Sequence, residues 1–308
     1  MNQVAVSRLL ARLTAEAGLP RVTCREPIRV WRLSGVERLR PSGGPTVVFK
    51  YARPPFTGED RVLATLAAQA VPVPRVSAAA VLDGMLGMIL EDLGDPVRAA
   101  TEHDAAVAAV RLHAACPALW LDKLSEPELA ALPGKALARL EALRAAGRFA
   151  DASDLFSLLT ALDRMAPARA AGTERPPFGF CHGELHPSAL LITPRLITPT
   201  GWRLLDFAMA FTGPGLLDLA AWSGLRRPAD PPRTRRLIER YVHSGGHRDA
   251  LADRGGLPAE RWALGWHRVQ AASWLLTCAT SGVDEPVTDP RHLLVLRRQL
   301  TSAHELLA

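Results

Sequence analysis

The sequence predicts an α+β protein of two lobes, a small antiparallel β-rich lobe followed by a large, mainly helical one. Three observations carry this. Up to residue 92, short runs rich in β-branched and aromatic residues alternate with turns. Beyond it, apolar residues recur every three to four positions, the helical period. One stretch, Phe180–Asp206, interrupts the helical part with short strand-like runs. Strands grouped in one part of a chain and helices in the other point to an α+β arrangement rather than alternating βαβ units. The expected lobes are 1–92 and 93–308.

Residues 1–18 read as an amphipathic helix ended by Gly18-Leu19-Pro20, with Arg8, Arg12 and Glu16 interrupting its apolar face pattern. Ile28–Leu33 and Thr46–Tyr51 read as strands, the second entered through Ser42-Gly43-Gly44-Pro45. Thr57–Gln69 reads as a helix with Val62, Leu63, Leu66 and Ala67 on one side. Arg75–Leu82 and Met85–Leu90 flank Asp83-Gly84, a strong signal for a two-residue hairpin turn. Helices are expected over Asp104–Ala115, Glu126–Ala146, Asp151–Arg164, Arg233–His243, Pro258–Cys278 and Pro290–Leu307. Inside the island, Leu190–Thr193 and Trp202–Leu205 read as a short β-ribbon.

Composition narrows the class. Of 308 residues 48% are apolar and 22% charged, too apolar for disorder and too mixed for a membrane protein. No apolar stretch reaches the roughly 18 residues of a membrane span, and nothing before residue 30 has the form of a signal peptide. The four cysteines, at 24, 116, 181 and 278, form no CxxC pair, so neither a zinc site nor a disulfide framework is expected. A cytoplasmic protein with reduced thiols follows, with no membrane partner. The net charge of +6 raises nucleic acid as a partner, but the arginines are scattered. The densest group, Arg226, Arg227, Arg233, Arg235, Arg236 and Arg240, is interrupted by Asp230 and Glu239 and reads as a solvated helix face, so no nucleic acid is expected. Only three of the 37 basic residues are lysines, which makes each of them informative.

The chemistry concentrates in two places. Residues 181–194 read CHGELHPSALLITP and residues 202–220 read WRLLDFAMAFTGPGLLDLA, with acidic residues at Glu184, Asp206 and Asp218, two of them at the ends of expected strands. Carboxylates presented by a buried ribbon can bind a metal or take a proton. Upstream, Lys50 ends an apolar strand and Glu59 opens a helix nine residues later. A strand Lys held by a helix Glu places an ammonium group at a fixed point, where it can meet phosphate oxygens. As a cleft side chain, Lys50 is expected to carry little folding energy.

Taken together, these segments resemble the superfamily of aminoglycoside and choline kinases, whose fold is similar to that of protein kinases. The resemblance rests on VVFK ending at Lys50, ExxxL from Glu59, VPVPRV at 71–76, MILEDL at 88–93, VRLHAA at 110–115, HGELHPSALL from His182 and LLDFA with a later DLA. It covers about residues 25–222. It implies an ATP- or GTP-dependent, Mg²⁺-requiring kinase acting on a hydroxyl of a small molecule, as a monomer or homodimer. It implies that Lys50 and Glu59 grip the nucleotide, that Ser34 and Gly35 belong to the phosphate loop and that Glu91 and Leu93 meet the adenine through their backbone. Asp206 would bind the metal, Glu184 would be the catalytic carboxylate, and His182 and Asp218 would brace the catalytic loop.

Three departures stand out. Glu184 takes the place of the family's catalytic Asp, Ala189 that of a metal-binding Asn, and the phosphate loop 33–37 has a single glycine. Ser188 or His186 could replace the missing ligand, or one metal on Asp206 could suffice. The alternative these changes raise is a pseudokinase, a nucleotide- or ligand-binding module without catalysis. Residues 219–308 hold 13 Arg and 9 acidic residues, 13 − 9 = +4, which disfavours a polycationic aminoglycoside as substrate. An antibiotic, nucleoside or natural-product intermediate that is neutral or anionic is expected instead.

Overall fold

The computed structural model describes residues 3–149, 151–194, 200–281, 283 and 285–308. The chain divides into two compact units. One holds residues 1–100 and 187–210, the other residues 101–186 and 211–308.

The first unit is built on an antiparallel sheet. Helix α1 (Gln3–Glu16) is followed by strands β1 (Val22–Val30), β2 (Ser34–Pro41) and β3 (Val47–Ala52), helix α2 (Glu59–Ala68), and strands β4 (Val76–Leu82) and β5 (Met85–Glu91). The strand order is β1-β2-β3-β5-β4. α1 lays Val6, Leu9, Leu10 and Leu13 on one sheet face, against Leu39, Phe49, Tyr51 and Ile89. Successive strand residues point to opposite faces. Lys50, between Phe49 and Tyr51, therefore leaves the face that α1 covers.

β1 begins six residues before the expected strand. It is an edge strand and exposed along nearly all its length, so no apolar alternation marks it. Pro27 reads as a breaker but is tolerated on an edge, where no neighbour needs its N–H. The segment expected as the phosphate loop, 33–37, is mostly strand β2. Its alternation is hidden because the inward position Glu37 is charged. Glu37 is buried, gripped by Arg25 at 2.7 and 3.0 Å and by the Tyr51 hydroxyl at 3.2 Å.

The second unit begins with α3 (Glu102–His113), closed at its start by a Thr101–Asp104 capping box. The span expected as one helix from Glu126 to Ala146 is two, α4 (Glu126–Ala130) and α5 (Leu132–Ala145), because Pro133 cannot donate within a continuous helix. α6 (Ser153–Ala170) runs six residues past its expected end. It carries Pro167 in its last turns, and the buried Ala166 and Ala170 keep the helix against its neighbours.

β6 (Phe178–Cys181) follows. The chain then gives the first unit its hairpin of β7 (Leu190–Ile192) and β8 (Trp202–Leu204), fastened there by Leu204 N–H to Pro72 O at 2.9 Å and Val97 N–H to Ile192 O at 3.0 Å. The hairpin matches the expected ribbon; its connecting residues 195–199 lie outside the described ones. β9 (Phe211–Pro214) returns to pair with β6 in the second unit, followed by α7 (Leu216–Ala221), α8 (Pro231–His243), α9 (Ala259–Thr280) and α10 (Asp289–Leu307). β6, β9 and α7 are too short to show a period.

The arginines expected on a solvated helix face are partly committed to ion pairs. Arg233 and Arg240 reach Glu102, and Arg235 reaches Glu239 and Glu260. No helix among the described residues is long and apolar enough to cross a membrane.

Candidate active site

The candidate site residues fall into two groups, one in each unit. In the first, Lys50 Nζ lies 2.8 Å from Glu59 Oε1, 2.6 Å from Oε2 and 2.7 Å from Asp206 Oδ1. β3 supplies the lysine, α2 the glutamate and the chain just after β8 the aspartate. Glu59 also braces the backbone beyond the ribbon. Its Oε1 accepts the Phe207 backbone N–H at 3.1 Å, which fixes the residue next to Asp206. Asp206 sits at φ +66°, a left-handed conformation that costs a non-glycine residue about 1–2 kcal/mol and persists where the surroundings impose it.

Lys50 is 7% exposed and Glu59 2%. Burial alone would push the ammonium pKa down. The opposing charges of Glu59 and then Asp206 outweigh it, and the pKa stands above that of an ordinary lysine. The Asp206 side chain is 36% exposed, so one side of this charged triad faces solvent.

The other residues expected to meet the nucleotide lie in the same unit. Ser34 opens β2, and its Oγ accepts a hydrogen bond from the Trp31 indole N–H. Gly35 lies in the strand opposite Tyr51, and a Cβ there would come within 2.2 Å of the Tyr51 ring. This close approach, rather than a flexible loop, is what requires glycine. Glu91 ends β5, and its side chain accepts the Arg75 backbone N–H at 3.0 Å. Asp92 is held by Arg38 at 2.8 Å and accepts the Gly94 N–H at 3.0 Å. Burial opposes the charge of Asp92, but hydrogen bonds from Thr46, Gly94 and Arg38 pull its pKa below the usual value. Side chains thus brace the 91–94 segment, and Leu93 is buried within it.

The second group is organised by Asp218, in the first turn of α7. Its Oδ2 accepts the His182 N–H at 2.7 Å and its Oδ1 the Gly183 N–H at 2.9 Å. The His113 Nε2 approaches Oδ2 to 3.3 Å from α3. The Glu184 N–H then donates to His182 Nδ1 at 3.2 Å. Three consecutive amides of the turn after β6 are thereby satisfied, and Gly183 makes the turn possible at φ +85°. Asp218 is 1% exposed. Burial raises its pKa, yet the His113 hydrogen bond and charge, the charge of His182 and the His182 amide together bring it below the usual carboxylate value. Cys181 is wholly buried, which pushes its thiol pKa far up and leaves it an inert core residue.

Ala189 is buried, and its carbonyl accepts the Leu205 N–H at 2.8 Å. Its methyl offers no ligand atom. Among the described residues, no group of three or more His, Cys, Asp or Glu forms a ready-made metal cage.

Sequence reasoning did not single out His113 as a partner of Asp218, because 105 residues separate them. Nor did it find Arg29, whose Nη1 lies 3.7 Å from Asp206 Oδ2.

A sheet lysine ion-paired to a helix glutamate is also found in protein kinases. The profile of the phosphotransferase enzyme family matches residues 34–259, and the chain belongs to that family: it is a small-molecule phosphotransferase.

Solved structures share the fold. A macrolide 2′-phosphotransferase from Brachybacterium faecium is 19% identical over 94% of this chain and 98% of its own, with a TM-score of 0.61. An amicoumacin kinase, solved in complex with AMP-PNP, Ca²⁺ and Ami, is 12% identical over 99% of this chain and 94% of its own, with a TM-score of 0.63. A point variant of aminoglycoside 2′-phosphotransferase IIIa in its GDP complex is 11% identical over the full length of both chains, with a TM-score of 0.63. Among curated proteins no sequence match was found.

Proposed function

We propose that this phosphotransferase moves the γ-phosphoryl group of ATP or GTP onto a hydroxyl of a neutral or anionic small molecule. The observation that carries the nucleotide half is the buried Lys50 between Glu59 and Asp206. Lys50 would bind the α- and β-phosphates, with Glu59 holding the ammonium in place. Ser34 and Gly35 would line the phosphates, and the Glu91 carbonyl and Leu93 N–H would meet the base.

The residues present fit one Mg²⁺. Asp206 keeps a solvent-facing carboxylate, and Mg²⁺ is commonly held by one or two carboxylates with the rest of its shell from phosphates and water. Ala189 supplies no second ligand. Bound there, the ion would offset charge on the β- and γ-oxygens.

Glu184 would orient the acceptor hydroxyl and take its proton late, as charge collapses onto the new ester. Asp218, His113 and His182 hold the backbone on which Glu184 stands. The added methylene relative to Asp is the reason for the second reading, a pseudokinase, since a displacement of about 1 Å can cost ~100-fold in rate.

The net +4 of residues 219–308 supports an acceptor that is not polycationic. The arginines already paired with Glu102, Glu239 and Glu260 contribute little to that field.

The nucleotide reading is tested by thermal stabilisation. ATP or GTP with Mg²⁺ should raise the unfolding midpoint of the wild type and leave Asp206→Ala nearly unmoved. A wild type that neither nucleotide stabilises would overturn it.

A further inference from the structure

The sheet face that carries Lys50 carries a second cation in the same row. Strand pairing sets Arg29 opposite Val36, Val36 opposite Lys50 and Lys50 opposite Met88. Paired residues on neighbouring strands share a face, so Arg29 lies two strands from Lys50 on the Lys50 side, about 10 Å away at the backbone.

Arg29 reaches that position through an irregularity. Pro27 pairs with Glu37 and Arg29 with Val36, so Ile28 is an extra residue in β1. Were the register continuous from Pro27, Ile28 would stand opposite Val36 and the row would end in an apolar side chain. Bulges re-aim side chains in this way.

Both cations converge on Asp206. Lys50 Nζ is 2.7 Å from Oδ1, and Arg29 Nη1 is 3.7 Å from Oδ2. The two ties differ in kind. Lys50 is buried, whereas the Arg29 side chain is 65% exposed and its ion pair is weak and easily exchanged. A metal bound by Asp206 would compete with Arg29 for its carboxylate. A guanidinium displaced from it would stay within reach of phosphate oxygens, which it can grip with two parallel hydrogen bonds.

We propose that Arg29 is a second phosphate-binding residue of the nucleotide site. It rests on Asp206 in the free protein and turns to the terminal phosphate oxygens when nucleotide and metal bind. There it supplies positive charge that a second ion would bring if Ala189 were a ligand. This rests on the nucleotide reading above and adds one residue and one exchange to it.

The test is calorimetric and uses the full chain. Three probes are titrated into the wild type, Arg29→Ala and Arg29→Lys: Mn²⁺ alone, ADP with Mg²⁺ and ATP with Mg²⁺; where the wild type binds GTP instead, GDP and GTP take the place of ADP and ATP. In Arg29→Ala, ATP affinity should fall about tenfold and ADP affinity less than threefold. Mn²⁺ should bind the nucleotide-free protein about twofold or more tighter, because a competing cation has gone. Arg29→Lys should lie between wild type and alanine for ATP.

Opposite signs for metal and ATP set this role apart from a structural one, which would weaken both. ATP affinity within twofold of wild type, or ATP and ADP weakened alike, would overturn the proposal. Weaker ATP binding with unchanged Mn²⁺ binding would overturn the exchange with Asp206. If the wild type binds neither ATP nor GTP, the nucleotide reading itself fails and Arg29 loses its role with it, an outcome distinct from the others.

Discussion

Lys50 sits 7% exposed against Glu59 at 2%, so its removal strands a buried carboxylate. Breaking a buried pair by deleting one partner costs about 3–5 kcal/mol, and the partial exposure of Asp206 sets the expectation near the lower end. Lys50→Ala should therefore lose about 3 kcal/mol in chemical denaturation, contrary to the sequence expectation that a cleft lysine carries little folding energy. A denaturation midpoint equal to that of wild type would show that the pair is not buried as described. Glu59→Gln keeps an acceptor for the Phe207 N–H and should separate the lost charge from the lost brace. Lys50, Glu59 and Asp206 were legible because a scarce lysine lies in an apolar strand nine residues before a helix-opening glutamate, and LLDFA follows a ribbon. Arg29 was not legible, since its place in the row depends on one bulged residue that no spacing reveals.

At the level of elements, the α7 turn and α9 carry the pH dependence. His267 on α9 is buried, and desolvation, with Arg268 adding to it, lowers its pKa from 6.5 to about 4. Between those values the unfolded chain binds a proton that the folded chain does not. Stability is therefore fully present above about pH 6.5 and declines as the pH falls towards 4, by about 3 kcal/mol from this residue. His267→Gln should flatten the midpoint-versus-pH curve over that range, and an unchanged slope would remove His267 from the account. Asp218 behaves differently. Its lowered folded pKa means its contribution is present above the ordinary carboxylate range and is lost only as the pH falls through that lower value. Asp218→Asn leaves fewer acceptors for the His182 and Gly183 amides and should cost about 2 kcal/mol. The long helices were legible from their period. β1 was not, because an exposed edge carries no apolar alternation, and β6, β9 and α7 owe their form to pairing and packing partners far along the chain.

For the whole molecule, the fold class and the phosphotransferase family agree with the reading of motifs in order, while catalytic competence turns, in the function proposed above, on Glu184. The turn that bears it is fully braced: its amide is held by His182, and the two preceding amides are held by Asp218. A retained carboxylate on a braced turn in one unit, and the ion pairs of Lys50 with Glu59 and Asp206 in the other, support the proposed catalysis over a vestigial site. The most direct measurement is transfer of labelled γ-phosphate from ATP or GTP to a panel of neutral and anionic hydroxyl compounds, by wild type, Glu184→Gln, Glu184→Asp and Asp206→Ala. Wild type should turn over at least one acceptor, Glu184→Gln should lose about 100-fold or more, Glu184→Asp should also lose activity, and Asp206→Ala should show no detectable turnover. A wild type inactive on every acceptor, with activity appearing in Glu184→Asp, would contradict the proposed catalysis and establish the pseudokinase.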